Sequence, residues 1–88
     1  MLELHFMLKA WQDLGWWMKN EDKSVKKIYM LLDNTCKTPF KGIGHPEPLK
    51  TNFSGYWSRR INLEHRIVYK VEHKQIVVFS MFGHYQDQ

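Results

Sequence analysis

Residues 56–82 read YWSRRINLEHRIVYKVEHKQIVVFSMF. Aromatic and β-branched side chains, which favour strands, concentrate here in three runs bounded by polar residues. These runs are residues 56–61, 65–71 and 75–82. Each of the two segments between them is three residues long, which suits a hairpin turn. The stretch therefore predicts three consecutive strands that pair in a largely antiparallel sheet.

The chain before this stretch adds a short strand and two helices. Leu2, Leu4 and Phe6 alternate with polar residues, which predicts a first strand with these side chains inward. Two apolar sets then recur at helical spacing. The sets are Met7, Trp11, Leu14 and Met18, then Val25, Ile28, Tyr29, Leu32 and Cys36. The predicted class is α+β in the order βααβββ, with both helices on one sheet face and a binding groove on the other.

Two pairs of neighbouring residues on the predicted helices leave alternatives open. Trp16 and Trp17 cannot both face the same core as Leu14, because adjacent helical residues point in different directions. One tryptophan is therefore either a residue at the core edge or part of a partner surface. Lys26 and Lys27 lie beside the second apolar stripe, where a solvated face is the first interpretation and contact with phosphate the alternative.

The composition suits one domain. The 88 residues allow one modest core, so residues 1–88 are expected to form a single domain. The net charge of +4 favours a polyanion or an acidic protein as partner. The single cysteine, Cys36, excludes an internal disulfide and is interpreted as a small buried hydrophobe. The sequence has no signal-peptide pattern and no apolar run of about 20 residues, so we expect a cytoplasmic protein without a membrane segment.

A carboxylate stands in a stiff part of the chain. Glu47 lies between Pro46 and Pro48, and Lys50 follows three residues after Glu47. Proline fixes its own φ and restricts the residue before it, so both prolines stiffen the loop around Glu47. An acid held beside basic groups can transfer a proton next to a bound phosphate.

Arginines on two predicted strands supply those basic groups. Strand parity places Arg60 on the open sheet face, together with Arg66 of the next strand. Arg59 points the other way and is expected to be a rim or structural residue. Two guanidinium groups can grip a phosphate bidentately. Ordinary surface arginines are an equal alternative on spacing alone.

The C-terminus offers a second titratable group. His84 follows the last predicted strand, and an imidazole facing Glu47 would complete an acid/base pair. Tyr85, Tyr56 and Trp57 are either core aromatics or surfaces on which bases stack. The histidines lack metal-ligand spacing and no glycine-rich phosphate loop follows a strand, so neither a metal nor a nucleotide cofactor is indicated.

These residues together resemble the YoeB toxins of bacterial toxin–antitoxin modules, within the wider RelE group. The motifs that carry the resemblance are Thr38-Pro39-Phe40, Gly42, Gly44, Pro46-Glu47-Pro48-Leu49-Lys50, Ser54-Gly55, Trp57-Ser58-Arg59-Arg60-Ile61, His65-Arg66, Val68-Tyr69 and His84-Tyr85. Trp11 and the run Val25-Lys26-Lys27-Ile28 also fit, so the likeness extends over nearly the whole chain. The tail Gln86-Asp87-Gln88 extends past the His-Tyr end of several relatives.

The resemblance implies a RelE-like fold and a ribosome-dependent endoribonuclease, or mRNA interferase. Such a toxin inhibits translation by cutting messenger RNA in the A site of the 70S ribosome, without a metal or other cofactor. By motif position, Glu47 would be the general base that removes the proton of a ribose 2′-hydroxyl. Arg66 would stabilise charge on the scissile phosphate, and His84 would protonate the leaving 5′-oxygen.

The same resemblance implies supporting residues and partners. Lys50 and Arg60 would support the phosphate, and Tyr85 would help to position the RNA. The expected protein partners are a YefM-type antitoxin, whose acidic segment wraps the toxin, and a second copy of the chain in a homodimer.

Two other functions remain to be separated from this one. The first is a non-enzymatic toxin of the same fold, similar to the ParE group, that inhibits a protein target such as gyrase. It would not need Glu47, Arg66 and His84 together. The second is a basic module that binds RNA or DNA and only holds it.

Overall fold

The structure, a computed structural model, describes residues 1–84. The helices and strands are β1 (Glu3–Phe6), α1 (Leu8–Asn20), α2 (Val25–Lys37), β2 (Glu47–Pro48), β3 (Trp57–Arg60), β4 (Arg66–Glu72) and β5 (Gln75–Ser80). Short 3-10 turns cover Asp22–Ser24 and Thr51–Phe53. The predicted α+β class is confirmed, and the strand–helix–helix–strand order gains one short strand, β2, that the sequence did not predict.

All five strands form one sheet in the spatial order β1-β5-β4-β3-β2. β1 runs parallel to β5, and the other neighbouring pairs are antiparallel. β4 and β5 form a hairpin in which Glu72 pairs with Gln75. The two residues between them, His73 and Lys74, have φ of 52° and 62°, which gives the turn the right twist for two adjacent strands.

The core lies between the helices and one face of this sheet. Its largest members are Trp17, Ile28, Leu31, Ile67 and Tyr69. Because α1 and α2 cover one face only, the opposite face is left for other contacts. No helix within residues 1–84 combines the length and the apolar character needed to span a membrane.

The apolar stripe predicted for α1 is wrong in most of its members. Ala10 and Trp17 are fully buried, whereas Trp11 and Met18 are 61% and 60% exposed. Two hydrogen bonds to the end of β5 set the rotation of the helix. The indole Nε1 of Trp17 donates to the carbonyl of Met81 (2.6 Å), and the carboxylate of Asp13 accepts from the amide of the same residue (2.9 Å).

The buried face of α2 is also shifted from the predicted one. Tyr29 is 68% exposed, whereas Leu31 and Thr35 are buried. Thr35 can be buried because its hydroxyl donates to the Leu31 carbonyl (2.7 Å), which satisfies the polar group within the helix. Cys36 is free and buried, as predicted. Burial, with a smaller contribution from the charge of Asp33, raises the pKa of its thiol and so disfavours the nucleophilic thiolate.

Candidate active site

The strand register gathers the predicted site residues on the open sheet face. Glu47 of β2 pairs with Ser58 of β3, and Arg60 of β3 pairs with Arg66 of β4. Cross-strand partners share a face, as do residues two positions apart on one strand. Glu47, Arg60 and Arg66 therefore project from the same side of three adjoining strands. Strand parity predicted this side for both arginines.

Arg66 is a cation that is held in place and largely withdrawn from water. The residue is only 6% exposed. Its Nη1 donates to the carbonyl oxygens of Asn62 (2.7 Å) and Leu63 (3.3 Å) in the turn between β3 and β4. Burial and the neighbouring charge of Arg60 lower the pKa of Arg66, while the carboxylate of Glu47 opposes that shift. The charges of Arg60 and Glu47 thus both act on Arg66, and a bound phosphate would reduce the repulsion between the two arginines.

Arg60 adds an unsatisfied donor to this pair. Its Nε is buried and has no hydrogen-bond acceptor among residues 1–84. Buried polar groups are nearly always paired in folded proteins, so a lone guanidinium donor beside a second arginine points to an anion as the missing partner. The geometry therefore favours an anion-binding pair over ordinary surface arginines.

Backbone pairing, rather than the prolines alone, positions Glu47. The residue is exposed and opens the edge strand β2. The ladder continues beyond that strand, since the amide of Leu49 donates to the carbonyl of Tyr56 (2.9 Å). Lys50 follows directly, is exposed, and precedes the 3-10 turn Thr51–Phe53. Glu47 and Lys50 thus lie in the chain segment that forms the β2 edge of the sheet.

The segment after β5 returns to Arg66. The amide of Arg66 donates to the carbonyl of Gly83 (2.9 Å), so the residue before His84 is bonded to the backbone of Arg66. His84 is exposed. The structure thus brings His84 to the strand that carries Arg66. Tyr85 lies outside residues 1–84, as does the tail Gln86-Asp87-Gln88.

The predicted aromatic residues divide between the two sheet faces. Trp57 packs against the core and against Phe40, with ring centroids 4.9 Å apart. Tyr56 instead contacts Phe53 and Phe79, with centroids 5.7 and 6.0 Å apart. This group covers the part of the open face that lies away from the arginine pair.

The sequence of the chain matches a known family of proteins. A sequence model of the YoeB-like toxins of bacterial type II toxin–antitoxin systems matches residues 6–85. The chain belongs to this family. It is 45% identical over 85 residues to toxin YoeB from Synechocystis sp., covering 97% of this chain and 99% of that one. It is 43% identical over 84 residues to toxin YoeB from Escherichia coli K12, covering 96% and 100%.

Solved structures agree with this membership. The YoeB/ParE toxin from Agrobacterium tumefaciens superposes with a TM-score of 0.91 at 42% identity, covering 96% of this chain and 100% of that one. A YoeB dimer from Staphylococcus aureus gives 0.87 at 44% identity, covering 96% and 98%. A YoeB–YefM complex from the same organism gives 0.85 at 43%, covering 97% and 99%. The chain is thus a YoeB-family toxin with the α+β fold of its relatives.

Arg59 of this YoeB-family chain is a structural residue, which was one of the two predicted alternatives. The whole side chain is buried. Its Nη2 donates to the carbonyl oxygens of Thr38 (2.6 Å) and Lys41 (3.1 Å), and its Nη1 to that of Ile43 (3.0 Å). Its Nε donates to the hydroxyl of Tyr69 (3.1 Å). Arg59 therefore organises the connection that leads from α2 to the strand bearing Glu47.

His65 is a site neighbour that the sequence did not single out. Its ring packs between Phe82 and Trp17, with centroid distances of 4.3 and 5.2 Å. Its Nδ1 accepts a hydrogen bond from the amide of Gly83 (3.0 Å). His65 therefore anchors the segment that carries His84. The motif His65-Arg66 is part of the family resemblance, but neither the resemblance nor the spacing gave His65 a role.

The described part of the chain holds no metal-ligand cluster. Within residues 1–84, no three His, Cys, Asp or Glu side chains come together in the arrangement that a metal ion requires. The titratable groups of the site are instead spread over β2, β4 and the segment after β5.

Proposed function

We propose that this YoeB-family toxin is an endoribonuclease that cuts messenger RNA in the A site of translating 70S ribosomes. The supporting observation is the open face on which Glu47 adjoins the Arg60–Arg66 pair, with Gly83 bonded to the backbone of Arg66. A base, an acid and a phosphate clamp suffice when the nucleophile is the RNA's own 2′-hydroxyl. The reaction then needs no metal or cofactor, and DNA is inert because it lacks that hydroxyl.

The proposed reaction is an internal transesterification. Glu47 takes the proton of the ribose 2′-hydroxyl, whose oxygen attacks the adjacent phosphorus. Arg66, supported by Arg60 and Lys50, neutralises the charge that develops on the phosphate oxygens. The bond to the 5′-oxygen breaks, and His84 donates a proton to that oxygen. The immediate products are a 2′,3′-cyclic phosphate on one fragment and a 5′-hydroxyl on the other, and attack by water then opens the cyclic phosphate to a 3′-phosphate.

The function is tested by inducing the chain in bacteria and mapping messenger 5′ ends. We expect growth arrest with cuts inside codons, and loss of both on Arg66→Ala, because the phosphate then loses its most buried cation. The double variant with Glu47→Ala serves as a second check. Toxicity that persists after both substitutions would favour the alternative function, a non-enzymatic toxin that inhibits a protein target. Equal cleavage of free RNA would contradict the ribosome requirement.

The proposed partners follow from the family and the charge. The S. aureus YoeB relative has been solved in complex with YefM. We infer a YefM-type antitoxin for this chain as well, since its net charge of +4 complements an acidic, flexible segment. Tyr85 would help to position the RNA. Action on ribosomes places the toxin in the cytoplasm.

A homodimer is proposed on the exposed face of α1. Leu8, Trp11 and Met18 lie at helical spacing and are 70%, 61% and 60% exposed. A stripe of this kind on a small protein marks an interface, and an S. aureus relative is a dimer.

Trp11→Ser is expected to shift the chain from dimer to monomer in sedimentation velocity, because it removes the largest apolar side chain of the stripe. Leu63→Ser is the matched control, since Leu63 is 85% exposed and lies in the β3–β4 turn rather than on the α1 stripe. A Trp11→Ser protein that sediments as wild type would place the dimer interface elsewhere.

His65 is proposed as a positioning residue for His84. His65→Phe keeps an aromatic ring against Trp17 and Phe82 but leaves the amide of Gly83 without its acceptor. His65→Asn keeps an acceptor near the Nδ1 position. We expect His65→Phe to lower kcat by about tenfold, the equivalent of one hydrogen bond, with little change in KM.

The contrast between these two variants decides the role of His65. His65→Asn should recover part of kcat, although it loses the ring contacts. If both variants lower kcat in proportion to their loss of thermal stability, His65 is a packing residue only.

A further inference from the structure

A recess opens beside the candidate active site, where β3 turns toward β4. Its volume is about 660 Å³. Residues from α2, the loop before β2 and the β3–β4 turn line it, among them Lys27, Ile43, His45, Arg60 and Leu63. We propose that this recess binds one nucleotide of the message, adjacent to the linkage that is cut. The proposal rests on the function proposed above and adds a subsite to it.

The charge of the recess suits a phosphate. The ionisable side chains that line it are Lys27, His45 and Arg60, and no acidic residue of the described chain lies among its lining residues. Arg60 is also the cross-strand partner of Arg66. The recess and the proposed catalytic cluster therefore share one arginine. An RNA chain whose phosphate lies on Arg66 would enter the recess with its next nucleotide.

The apolar part of the lining suits a base. Met30, Ile43 and Leu63 line the recess and are 50%, 46% and 85% exposed. These side chains take no part in the core cluster and give the recess an apolar wall against which the face of a base can pack. A basic rim with an apolar wall matches a nucleotide rather than a simple anion, and the volume lies within the ~300–1,000 Å³ of small-ligand sites.

The wall of the recess is already held in shape. Gly44 and His45 both have left-handed backbone conformations, with φ of 83° and 52°. Such a conformation is costly for histidine and persists only where its surroundings fix it. The amide of Arg60 donates to the Gly44 carbonyl (2.7 Å), and Arg59 donates to the Ile43 carbonyl (3.0 Å). Because this wall is already ordered, binding does not cost the conformational entropy of ordering the loop, and ligand contacts there contribute to affinity.

The base contact is tested with Leu63→Ser on ribosomes programmed with messages that carry an abasic nucleotide at single positions flanking the cut. For the wild type, one flanking position should raise KM by about tenfold with kcat little changed, because the contact is made equally before and during the reaction. Leu63→Ser should raise KM on the intact message and cause no further loss on that abasic message. The exposure of Leu63 leaves folding unaffected.

The phosphate contact is tested with Lys27→Ala against Lys26→Ala. Both lysines lie on the exposed surface of α2, but only Lys27 lines the recess. Lys27→Ala should raise KM several-fold and reduce its salt dependence by about one counterion, whereas Lys26→Ala should do neither.

Two outcomes overturn the subsite. In one, Lys27→Ala and Lys26→Ala change KM and its salt dependence to the same extent. In the other, the KM increases caused by Leu63→Ser and by the abasic nucleotide multiply. That result would mean that Leu63 contacts ribosomal RNA or no ligand at all. The proposed function is judged separately, because an active Glu47→Ala protein would overturn the function, whereas silent recess variants with an inactive Glu47→Ala protein overturn the subsite alone.

Discussion

Glu47→Gln is expected to slow message cleavage on translating ribosomes by about 10²–10⁴-fold, the contribution of a positioned general base. The amide keeps the shape of the side chain at the start of β2 but cannot take the proton of the 2′-hydroxyl. The effect should fall on kcat, with KM little changed, because binding of the message does not require that proton transfer. Multiple-turnover cleavage on programmed ribosomes at varied ribosome concentration measures both constants.

Glu72→Gln is the matched control for the loss of one negative charge. Glu72 lies at the far end of β4 and pairs with Lys70 (3.2 Å). This variant should cleave as the wild type does. A Glu47→Gln protein that retains wild-type kcat would exclude Glu47 as the base, whatever its position beside the arginines.

Arg59→Met is expected to destabilise the fold strongly. It removes a buried guanidinium and its hydrogen bonds to the carbonyl oxygens of Thr38, Lys41 and Ile43, of which that of Lys41 keeps the Thr38 hydroxyl as a donor. Unpaired buried polar groups typically cost ~1–3 kcal/mol each, so a loss of about 3–5 kcal/mol of unfolding free energy is expected. Urea denaturation followed by tryptophan fluorescence measures this loss.

Lys37→Met is the control for removing a positive charge near the same connection. Lys37 is exposed and pairs with Asp33 one helical turn away, so its loss should leave the urea midpoint almost unchanged. Arg59→Lys should fall between the two, because an ammonium cannot reach all the acceptors that the guanidinium contacts. If the Arg59→Met protein were as stable as the Lys37→Met protein, Arg59 would not be the residue that stabilises the connection between α2 and β2.

Local signals in the sequence were sufficient to predict the three C-terminal strands of the sheet. The three C-terminal strands follow from alternation and turn length, since neighbouring strands of a hairpin need only a short connection. β2 escaped notice because Glu47–Pro48 is too short to show any periodicity. Its existence depends on the pairing with β3, which only the folded chain supplies.

The helix faces depended on contacts that no local pattern contains. A hydrophobic stripe places Trp11 inward and Asp13 outward, yet Asp13 and Trp17 hydrogen-bond the end of β5, and Trp11 faces outward. The same applies to Thr35, which is buried because the helix itself satisfies its hydroxyl.

The candidate site divides in a similar way. Strand parity was enough to place Arg60 beside Arg66, and the family resemblance singled out Glu47 and His84. Parity and resemblance did not reveal that His65 anchors the Gly83 segment, because that hydrogen bond joins residues 18 positions apart.

We propose that the RNA's own 2′-hydroxyl is the nucleophile at the Glu47–Arg66–His84 cluster. A message with a single 2′-deoxy nucleotide at the cut position, placed in the ribosomal A site, tests it most directly. We expect no cleavage at that linkage, and 2′,3′-cyclic phosphate or 3′-phosphate ends with 5′-hydroxyl ends on the unmodified message. Cleavage of the deoxy-substituted linkage at the wild-type rate would contradict it.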